Sequence, residues 1–366
     1  MESTALKCLE EYRDPAVAQA IARKIHCLSR RPVRFMEVCG THTVSIFRNG
    51  IRSLLPETVS LISGPGCPVC VTAQREIDGF IHIARMDNLM LTTFGDLMRV
   101  PGASSSFQQE RAEGCDIRVV YSAMDALLLA QANPDKRVIL PAVGFETTAP
   151  TTAATLISAR AKDIKNFFVY SAHKLVPPAL FALLENTDAR IDGFILPGHV
   201  SVIIGTRAYR PFFEMFRIPC VISGFEPVDI LRAILILVQQ VETGETGVIN
   251  AYERVVTFEG NTTAQKLLHR VFETKDTAWR GIGTIPESGL KIRKEFSYFD
   301  AQKRFQINVP ESEEPEGCAC GEILSGIKIP PQCLLYEKTC TPLTPVGPCM
   351  VSSEGTCAAY YQYQRP

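Results

Sequence analysis

The middle of the chain carries eight short apolar runs, each of which ends in a loop marked by Gly or Ser and is followed by a helical pattern. The runs cover residues 33–38, 59–62, 89–93, 117–121, 138–143, 167–170, 191–196 and 221–222. Strands that alternate with helices predict parallel sheets, and uninterrupted apolar strands are typical of sheets covered by helices on both faces. The sequence therefore predicts an α/β fold.

The strand–loop–helix units recur at a nearly constant offset of 101 to 105 residues, seen in the small residues that follow matching strands. The pairs are Gly40 and Gly144, Gly66 and Ser171, Gly95 and Gly198, and Ser122 and Ser223. We infer two similar parallel-sheet α/β domains facing a cleft, at residues 33–136 and 137–243. Two alternatives stay open here. The ordinary spacing of α/β units also gives a regular offset, and the fourth units are free to exchange between the sheets.

The remaining segments depart from this pattern. A helix is predicted over residues 4–28 and another over 262–272, whereas residues 273–317 are polar, contain an acidic run at 311–316, and are predicted to be an exposed connector. Residues 318–366 are rich in Cys and Pro and too few for a large core, so we expect a metal centre to organise them. Residues 1–32 and 244–366 thus supply an N-terminal helix and a smaller Cys-rich Fe–S domain.

Composition excludes several classes of function. The 366 residues include 38 basic and 39 acidic side chains, and this near-neutral balance argues against nucleic acid as a partner, since phosphate binding needs a basic surface. The most apolar stretch, 230–238, is short and interrupted by Arg232, so no membrane span is expected. The N-terminus is acidic and lacks the apolar core of a secretory signal. We expect a cytoplasmic protein.

The cysteine content points to metal or redox chemistry. Thirteen cysteines are many for a protein of a reducing compartment, where such clusters indicate metal-binding or redox-active sites. Four thiolates near the C-terminus have a spacing that favours a [4Fe–4S] cluster. They are Cys318, Cys333, Cys340 and Cys357. Cys320 and Cys349, interleaved with them, form a spare pair for redox chemistry. Zinc is the alternative, although zinc ribbons usually show two close cysteine pairs, which this spacing lacks.

Motifs rich in Cys, His and Glu stand at the ends of seven predicted strands. They are CGTH (39–42), GPGCPVC (64–70), FGD (94–96), GFETT (144–148), SAHK (171–174), PGH (197–199) and GFEP (224–227). Ligands of parallel α/β sheets bind beyond the carboxyl ends of the strands. Two domains that face each other would therefore bring these loops to one cleft.

Cys39 is the first candidate within these motifs. It follows an apolar strand and precedes a predicted helix, and a helix N-terminus favours the thiolate, the form that binds metal or attacks. His42, three residues later, is a candidate base or a donor that orients a metal ligand. The alternative is a buried structural cysteine beside a polar residue at a helix start.

Cys67 and Cys70 form a C-x-x-C motif directly after a predicted strand. This spacing is typical of dithiol redox motifs and of half a metal site, so the pair is predicted either to form a short-loop disulfide or to bind a metal. Gly64 and Gly66 allow the backbone turns that precede it.

Five further residues at strand ends are weaker candidates for acid–base work, and each is equally suited to cap a helix or satisfy a buried backbone group. They are Glu146, His173, Lys174, His199 and Glu226. Asp96 is predicted to be a helix cap.

Taken together, these motifs resemble those of the HypD family of hydrogenase maturation factors, over essentially the whole chain. The matching stretches are EVCGTHT (37–43), GPGCPVC (64–70), FGDLMRVPG (94–102), VGFETTAP (143–150), SAHK (171–174), PGHVS (197–201) and GPCMVSSEG (347–355). The resemblance implies two α/β domains plus an Fe–S domain, and a role in building the Fe(CN)2CO group of [NiFe]-hydrogenases.

The resemblance also implies partners and residue roles. A small HypC-type chaperone would hold the iron together with Cys39, and a HypE-type partner would deliver cyanide. Cys67 and Cys70 would be the redox pair, with Cys320 and Cys349 as a second pair beside the [4Fe–4S] cluster. The expected cargo is Fe(II), carried as Fe(CN)2CO. Whether the protein is an enzyme in the turnover sense is left undecided.

Two other functions remain open from the same residues. An Fe–S-driven thiol–disulfide reductase acting on protein disulfides would use the same cysteines but not need Cys39. A pure interaction module would hold structural zinc in the C-terminal segment.

Overall fold

The structure, a computed structural model, describes residues 10–185, 189–307, 309 and 314–363. The strands in these residues are β1 (Val33–Glu37), β2 (Val59–Ser63), β3 (Leu89–Thr93), β4 (Ile117–Val119), β5 (Arg137–Ala142), β6 (Phe167–Ser171), β7 (Gly193–Pro197), β8 (Cys220–Ser223), β9 (Val248–Asn250), β10 (Phe272–Trp279) and β11 (Gly283–Ile292). The strands β1 to β8 coincide with the eight predicted apolar runs to within two residues at either end.

Helices follow most of these strands. The α-helices are α1 (Pro15–Leu28), α2 (Gly40–Arg48), α3 (Pro68–Val71), α4 (Gln74–Ala84), α5 (Phe107–Ala112), α6 (Ala123–Ala132), α7 (Ala149–Ala161), α8 (Val176–Glu185), α9 (Gly198–Ile204), α10 (Arg210–Phe216), α11 (Pro227–Thr243), α12 (Thr262–Val271), α13 (Ala301–Arg304), α14 (Cys320–Leu324), α15 (Pro348–Val351) and α16 (Thr356–Tyr363). Short 3₁₀ turns occur at Ile51–Leu54, Gly95–Leu97, Thr206–Tyr209, Lys294–Phe299 and Pro330–Gln332.

The strands β1 to β9 form two parallel sheets, with the orders β2-β1-β7-β8-β9 and β4-β3-β5-β6. Every pairing within them is parallel. In the first sheet, Phe35 of β1 pairs with Leu61 of β2 on one side and with Gly193 of β7 on the other. The predicted α/β class with parallel sheets is therefore confirmed, whereas the Fe–S domain stays a prediction.

The sheets do not follow the expected ranges 33–136 and 137–243. The offset of about 104 residues relates β1 to β5, β2 to β6, β3 to β7 and β4 to β8. Replacing the strands of β2-β1-β7-β8 by these counterparts gives β6-β5-β3-β4, which is the second sheet read from its other edge. Each sheet therefore contains two strands from each half of the repeat. The third and fourth strands of each half, β3 and β4 or β7 and β8, lie in the sheet that starts from the other half. A strand buried on both faces fits many neighbours, so local patterns leave the strand order open.

Residues 273–317, predicted to be a polar connector, contain an antiparallel hairpin. Its strands β10 and β11 pair from Phe272 with Ile292 to Trp279 with Gly283, with an irregularity between Lys275 and Thr277. Trp279 is buried, and its indole N–H donates to the Ser288 hydroxyl at 2.8 Å. The charged side chains of the exposed face hid the alternation of apolar residues that this hairpin buries.

The predicted helices at both ends of the α/β part are confirmed in the described residues. The first begins at Pro15 because Asp14 caps it, its carboxylate accepting the Ala16 N–H at 2.7 Å. The predicted span 4–28 is thus confirmed over Pro15–Leu28, whereas residues 4–9, with Cys8, lie outside the described residues, as do 311–313 of the acidic run. The second, predicted at 262–272, is α12. Across the described ranges, no helix combines the length and apolar character needed to cross a bilayer.

One apolar core cluster joins parts of the chain that are far apart in sequence. It contains buried residues from the loops after β2 and β5, from the hairpin and from the Cys-rich segment. Among them are Cys70, Phe145, Trp279 and Cys349. The ring planes of Phe145 and Trp279 stack with their centroids 5.9 Å apart. The hairpin therefore packs between the strand ends of the sheets and the C-terminal cysteines.

Candidate thiol and metal site

Cys39 lies at the junction between β1 and α2, and a second strand end packs directly on it. Its backbone is extended, with φ −152° and ψ 123°, and it is the N-cap residue of α2. The Gly40 N–H donates to the Gly66 carbonyl at 3.1 Å. Gly66 touches the Cys39 backbone so closely that any β-carbon at this position would overlap it. The loop carrying Cys67 and Cys70 is thereby fixed against Cys39.

The Cys39 thiol is held in its protonated form in the structure. Burial, and after it the charge of the nearby Glu354 carboxyl, raises the pKa of Cys39 to about 12. The expectation that the helix start favours a thiolate is therefore wrong for the free thiol, because burial outweighs the backbone N–H groups of Thr41 and His42. A cation bound to the sulfur reverses this balance, since coordination replaces the proton.

Glu354 is a site residue that the sequence reasoning missed. The Thr41 hydroxyl donates to its carboxylate at 2.7 Å, and Gly40 leaves room for it, since a β-carbon on Gly40 would overlap Glu354. Burial raises the pKa of Glu354. The C-terminal segment thus closes over the start of α2. The signal was present in the stretch 347–355, where Glu354 stands five residues after Cys349.

Cys67 and Cys70 form a disulfide, with their Cα atoms 5.2 Å apart. Both residues are buried, and the Cys70 N–H donates to the Cys67 sulfur at 3.2 Å. The structure therefore shows the pair in the redox form that the C-x-x-C spacing predicts. The metal-binding alternative stays a prediction.

All six cysteines of the C-terminal segment line a single cavity. They are Cys318, Cys320, Cys333, Cys340, Cys349 and Cys357. The sulfur atoms of Cys320 and Cys349 lie 2.9 Å apart, so these two are a close pair, as predicted from the interleaved spacing. Within the described part of the chain, no three His, Cys, Asp or Glu side chains are arranged as a metal-binding group. The assignment of four of these cysteines as cluster ligands therefore stays a prediction.

The cavity has a chemistry that suits an iron–sulfur cluster. Its other walls are mainly apolar and are formed by Ile323, Leu335, Tyr336 and Met350 beside Gly347. The Val346 N–H donates to the Cys340 sulfur at 3.4 Å, as backbone amides do around cluster thiolates. Gly347 leaves the space beside Cys318 open, since a β-carbon there would stand 3.0 Å from the Cys318 sulfur. Soft thiolates in an apolar enclosure fit iron and sulfide.

Arg280, a second residue missed from sequence, connects the two cysteine sites. Its backbone N–H donates to the Val71 carbonyl at 3.0 Å, and its guanidinium donates to the Thr72 carbonyl and to Gln74, each at 2.9 Å. The side chain is buried, and its Nη2 atom has no hydrogen-bond partner among the described residues. The pKa of Cys320 and that of Cys349 are both raised, with burial among the main causes, and the positive charge of Arg280 offsets only a small part of that rise.

His42 and His199 both stack on one aromatic ring. The imidazoles of His42 and His199 stack on Phe225, with ring centroids 4.8 Å and 3.9 Å away. His42 Nε2 lies 2.9 Å from the Gly224 carbonyl, and burial lowers the pKa of His42 to about 4. His42 is therefore neutral at physiological pH and ties α2 to the loop after β8. Its role as a base or orienting donor stays a prediction.

The remaining candidates occupy the ends of the second sheet or make ion pairs. Glu146 accepts the Val176 N–H at 3.0 Å, and burial raises its pKa to about 7. His173 lies 3.3 Å from the Ser171 hydroxyl, and burial, then the Lys174 charge, lowers its pKa to about 3. The structure does not unite these residues with Cys39 in one ligand set.

Lys174 and Glu226 have structural partners. The Lys174 ammonium lies 2.9 Å from Glu76, and Glu226 pairs with Arg13 at 2.6 Å. Asp96, predicted to be a helix cap, instead accepts hydrogen bonds from Ser352 and Ser353 of the C-terminal segment.

Comparison with known proteins places this arrangement in a family. The family model of HypD, described as the hydrogenase formation hypA family, matches residues 16–364. The chain belongs to the HypD family. It is 46% identical over 370 residues to the hydrogenase maturation factor HypD of Rhizobium leguminosarum bv. viciae, covering 98% of this chain and 96% of the relative.

Two further HypD relatives match with similar coverage. The hydrogenase maturation factor HypD of Azotobacter vinelandii is 46% identical over 369 residues, or 98% of this chain and 97% of the relative. That of Escherichia coli K12 is 45% identical over 368 residues, or 98% and 99%. The HypD resemblance recognised in the sequence motifs is therefore confirmed over nearly the whole chain.

Proposed function

We propose that this chain is a hydrogenase maturation factor that holds iron at Cys39 while the Fe(CN)2CO group is assembled. The observation that carries the proposal is the packing around Cys39: Gly66 fixes the Cys67–Cys70 loop against its backbone, and Glu354 closes over the next two residues. A metal-binding sulfur, a two-electron disulfide and the Cys-rich segment therefore share one enclosed site.

Iron is the cargo in this proposal. A soft thiolate suits low-spin Fe(II) and releases it later by ligand exchange. Because the Cys39 thiol is protonated when free, binding of the metal releases that proton. Glu354 is a carboxylate whose charge acts on Cys39, and burial raises its pKa, which makes it a better proton acceptor than an exposed carboxylate.

Cys318, Cys333, Cys340 and Cys357 are the residues that would hold a [4Fe–4S] cluster. When bound, such a cluster supplies single electrons. The chain's own contribution is the close Cys320–Cys349 pair, and helix α15, which carries Cys349, packs against helix α3, which carries Cys70. We propose that electrons reach the Cys67–Cys70 disulfide through this contact.

The partners in this proposal are a small HypC-type chaperone that shares the iron and a HypE-type protein that delivers cyanide. The names of the relatives support a place in hydrogenase maturation. The near-neutral charge and the absence of a bilayer-length helix in the described residues accord with work in the cytoplasm, away from nucleic acid.

The test is anaerobic co-purification of the full chain with the small chaperone, followed by iron analysis and infrared spectroscopy. We expect CO and CN stretching bands in the wild-type complex and their loss in Cys39→Ala. Cys220→Ala is the matched control, because Cys220 is another buried cysteine, lies in β8 of the sheet that contains β1, and is outside every motif. Bands that persist in Cys39→Ala would refute the iron assignment.

A second function is favoured by one observation, the disulfide at Cys67–Cys70 beside the Cys320–Cys349 pair. An Fe–S-driven thiol–disulfide reductase would use these four sulfurs on protein disulfides and would not need Cys39. A reductase assay separates the two functions: activity lost in Cys67→Ala but unchanged in Cys39→Ala, with no iron bound, supports the reductase.

A further inference from the structure

The Cys67 sulfur lies within hydrogen-bonding distance of a hydroxyl from the far end of the chain. Its Sγ atom lies 3.3 Å from the Ser352 hydroxyl oxygen, and Ser352 is 1% exposed. The same hydroxyl donates to the Asp96 carboxylate at 3.1 Å. Three loops, after β2, after β3 and after helix α15, therefore meet in one row of polar atoms that ends at a sulfur of the disulfide.

This row connects a buried sulfur to solvent. Cys67 is 3% exposed and Cys70 is fully buried, so water does not reach either sulfur directly. Asp96 is only partly buried and also accepts a hydrogen bond from the exposed Ser353 at 3.2 Å. A proton can therefore pass between water and Cys67 along Asp96 and Ser352, whose side-chain oxygens are already at hydrogen-bonding distance.

The two sulfurs of the disulfide have different surroundings. Cys67 receives the Cys70 N–H at 3.2 Å and faces the Ser352 hydroxyl. Among the described residues, no hydrogen bond to the Cys70 sulfur is present, and that sulfur is surrounded by the apolar core. Cys67 is therefore the sulfur that the protein is built to support when negative charge develops on it.

We propose that Ser352 and Asp96 form a proton relay that serves Cys67 when the Cys67–Cys70 disulfide opens and closes. Ser352 is the catalytic residue because it touches the reacting sulfur, and Asp96 is a positioning residue that acts through it. The relay deepens the proposed function, on which its biological use rests, by assigning the protonation steps of the redox pair.

The chemistry balances with a dithiol as reductant. Local opening of the loop admits the dithiol to the Cys70 sulfur, which is fully buried in the closed structure. One thiolate of the dithiol attacks that sulfur, the Cys67–Cys70 bond breaks, and its electron pair goes to Cys67. Cys67 takes the Ser352 proton while Ser352 takes one from the Asp96 end of the row, which water replenishes. The second thiol of the reductant then displaces Cys70, which is released as a thiol, and the oxidised dithiol leaves. Closure of the disulfide runs the same steps backwards.

The experiment measures reduction of the disulfide in the isolated full chain by dithiothreitol. Samples are quenched in time with an alkylating reagent, and mass spectrometry of the peptides carrying Cys67 and Cys70 gives the rate at those two residues alone. Ser352→Ala removes the hydroxyl and is expected to slow reduction roughly 100-fold, as loss of general acid–base help does. Ser352→Thr keeps a hydroxyl and is expected to restore most of the rate.

Ser353→Ala is the matched control. It removes a neighbouring hydroxyl that also binds Asp96, yet that hydroxyl is exposed and does not contact Cys67. We expect less than a twofold change. Asp96→Asn changes the partly exposed end of the row and serves as the test if Ser352→Ala fails to fold. We expect it to slow reduction measurably, although by less than Ser352→Ala does.

Repeating the rates in deuterium oxide distinguishes a relay from a structural role. The wild-type chain is expected to show a solvent isotope effect that Ser352→Ala lacks. Equal rates for the wild type and Ser352→Ala, an equal loss in Ser353→Ala, or an unchanged isotope effect would each overturn the relay. None of these measurements needs iron or a partner protein, so failure of the iron assignment leaves the outcome for the relay unchanged.

Discussion

Gly66 lies against the backbone of Cys39, and a β-carbon at Gly66 would stand within 3.0 Å of three Cys39 backbone atoms. This contact sets the position of the iron-binding candidate relative to the disulfide loop. Gly66→Ala is expected to lower the free energy of unfolding by about 1–3 kcal/mol, because overpacked backbone has to move. Urea unfolding gives the free energy, and faster alkylation of Cys39 reports the displacement.

Gly95→Ala is the control for this substitution. Gly95 also follows a strand of a parallel sheet, but a β-carbon there would meet only Val119 at 3.9 Å, an ordinary contact. We expect a change of about 0.5 kcal/mol or less. Equal free energies of unfolding for Gly66→Ala and the wild type would show that the backbone around Cys39 accommodates a β-carbon at residue 66 without loss of stability.

Gly281 and Gly321 hold the hairpin against the Cys-rich segment. A β-carbon on either glycine would overlap the backbone of the other, and Gly281 also has φ +67°. Gly281→Ala is therefore expected to separate the two segments and to raise the alkylation rate of the buried Cys320 at least about tenfold. Peptide mass spectrometry after timed alkylation measures this rate.

Gly283 provides a control that shares the backbone strain. Its φ is +100°, and a β-carbon there meets nothing within 4 Å. Gly283→Ala should lower stability by about 1 kcal/mol through strain alone and leave Cys320 protected. Similar exposure of Cys320 in both variants would contradict the close packing of Gly281 on Gly321.

Glu146 predicts a pH dependence of stability. Burial raises the pKa of its carboxyl to about 7 in the folded chain, above the ordinary value of 4.5. The folded state therefore binds this proton more tightly than the unfolded chain, so the contribution of Glu146 to stability is fully present below pH 4.5 and is lost as the pH rises through about 7. Glu146→Gln abolishes this contribution, and its stability relative to wild type should rise by up to about 3 kcal/mol over that range.

Thermal unfolding of both proteins at pH 4.5, 5.5 and 7 checks this prediction. Glu57→Gln, which removes an exposed carboxylate, is the control for the loss of one charge. A constant difference between Glu146→Gln and the wild type across these pH values would show that folding does not raise the pKa of the Glu146 carboxyl.

Arg280 predicts a link between stability and the reactivity of the disulfide loop. Arg280→Gln loses the guanidinium bonds to Thr72 and Gln74 and is expected to cost about 2 kcal/mol or more, since these are buried bonds from a charged donor. The Cys67–Cys70 disulfide should also be reduced faster, because the end of its loop is released. Arg118→Gln, which removes an exposed guanidinium paired with Asp116, should cost less than about 1 kcal/mol.

Local sequence patterns were sufficient to locate the strands and to predict that Cys67 and Cys70 lie close together. Apolar runs bounded by Gly and Ser mark β1 to β8, because a strand buried on both faces needs only nearby residues to be recognised. The C-x-x-C spacing likewise allows either a disulfide or a metal site, since two thiols in one turn are within bonding reach, and the structure shows the disulfide.

Properties that depend on distant residues were not accessible in this way. The pairing of β1 with β7 joins residues about 160 positions apart, and no local pattern specifies it. Glu354 and Arg280 have roles only because the C-terminal segment and the hairpin fold onto the strand ends. The protonated state of Cys39 follows from its depth in the fold, and a helix start in the sequence does not reveal that depth.

One sheet is built from strands that are consecutive in the sequence and the other is not, and this difference has a consequence during synthesis. The strands β3 to β6 are consecutive, so their sheet is able to form once residue 171 has left the ribosome. In contrast, β1 and β2 emerge first and must wait for β7 before their sheet gains its central neighbour. The nascent chain therefore carries two apolar strands with an open edge through much of translation, and the start of the helix after Cys39 stays uncovered until Glu354 has been made.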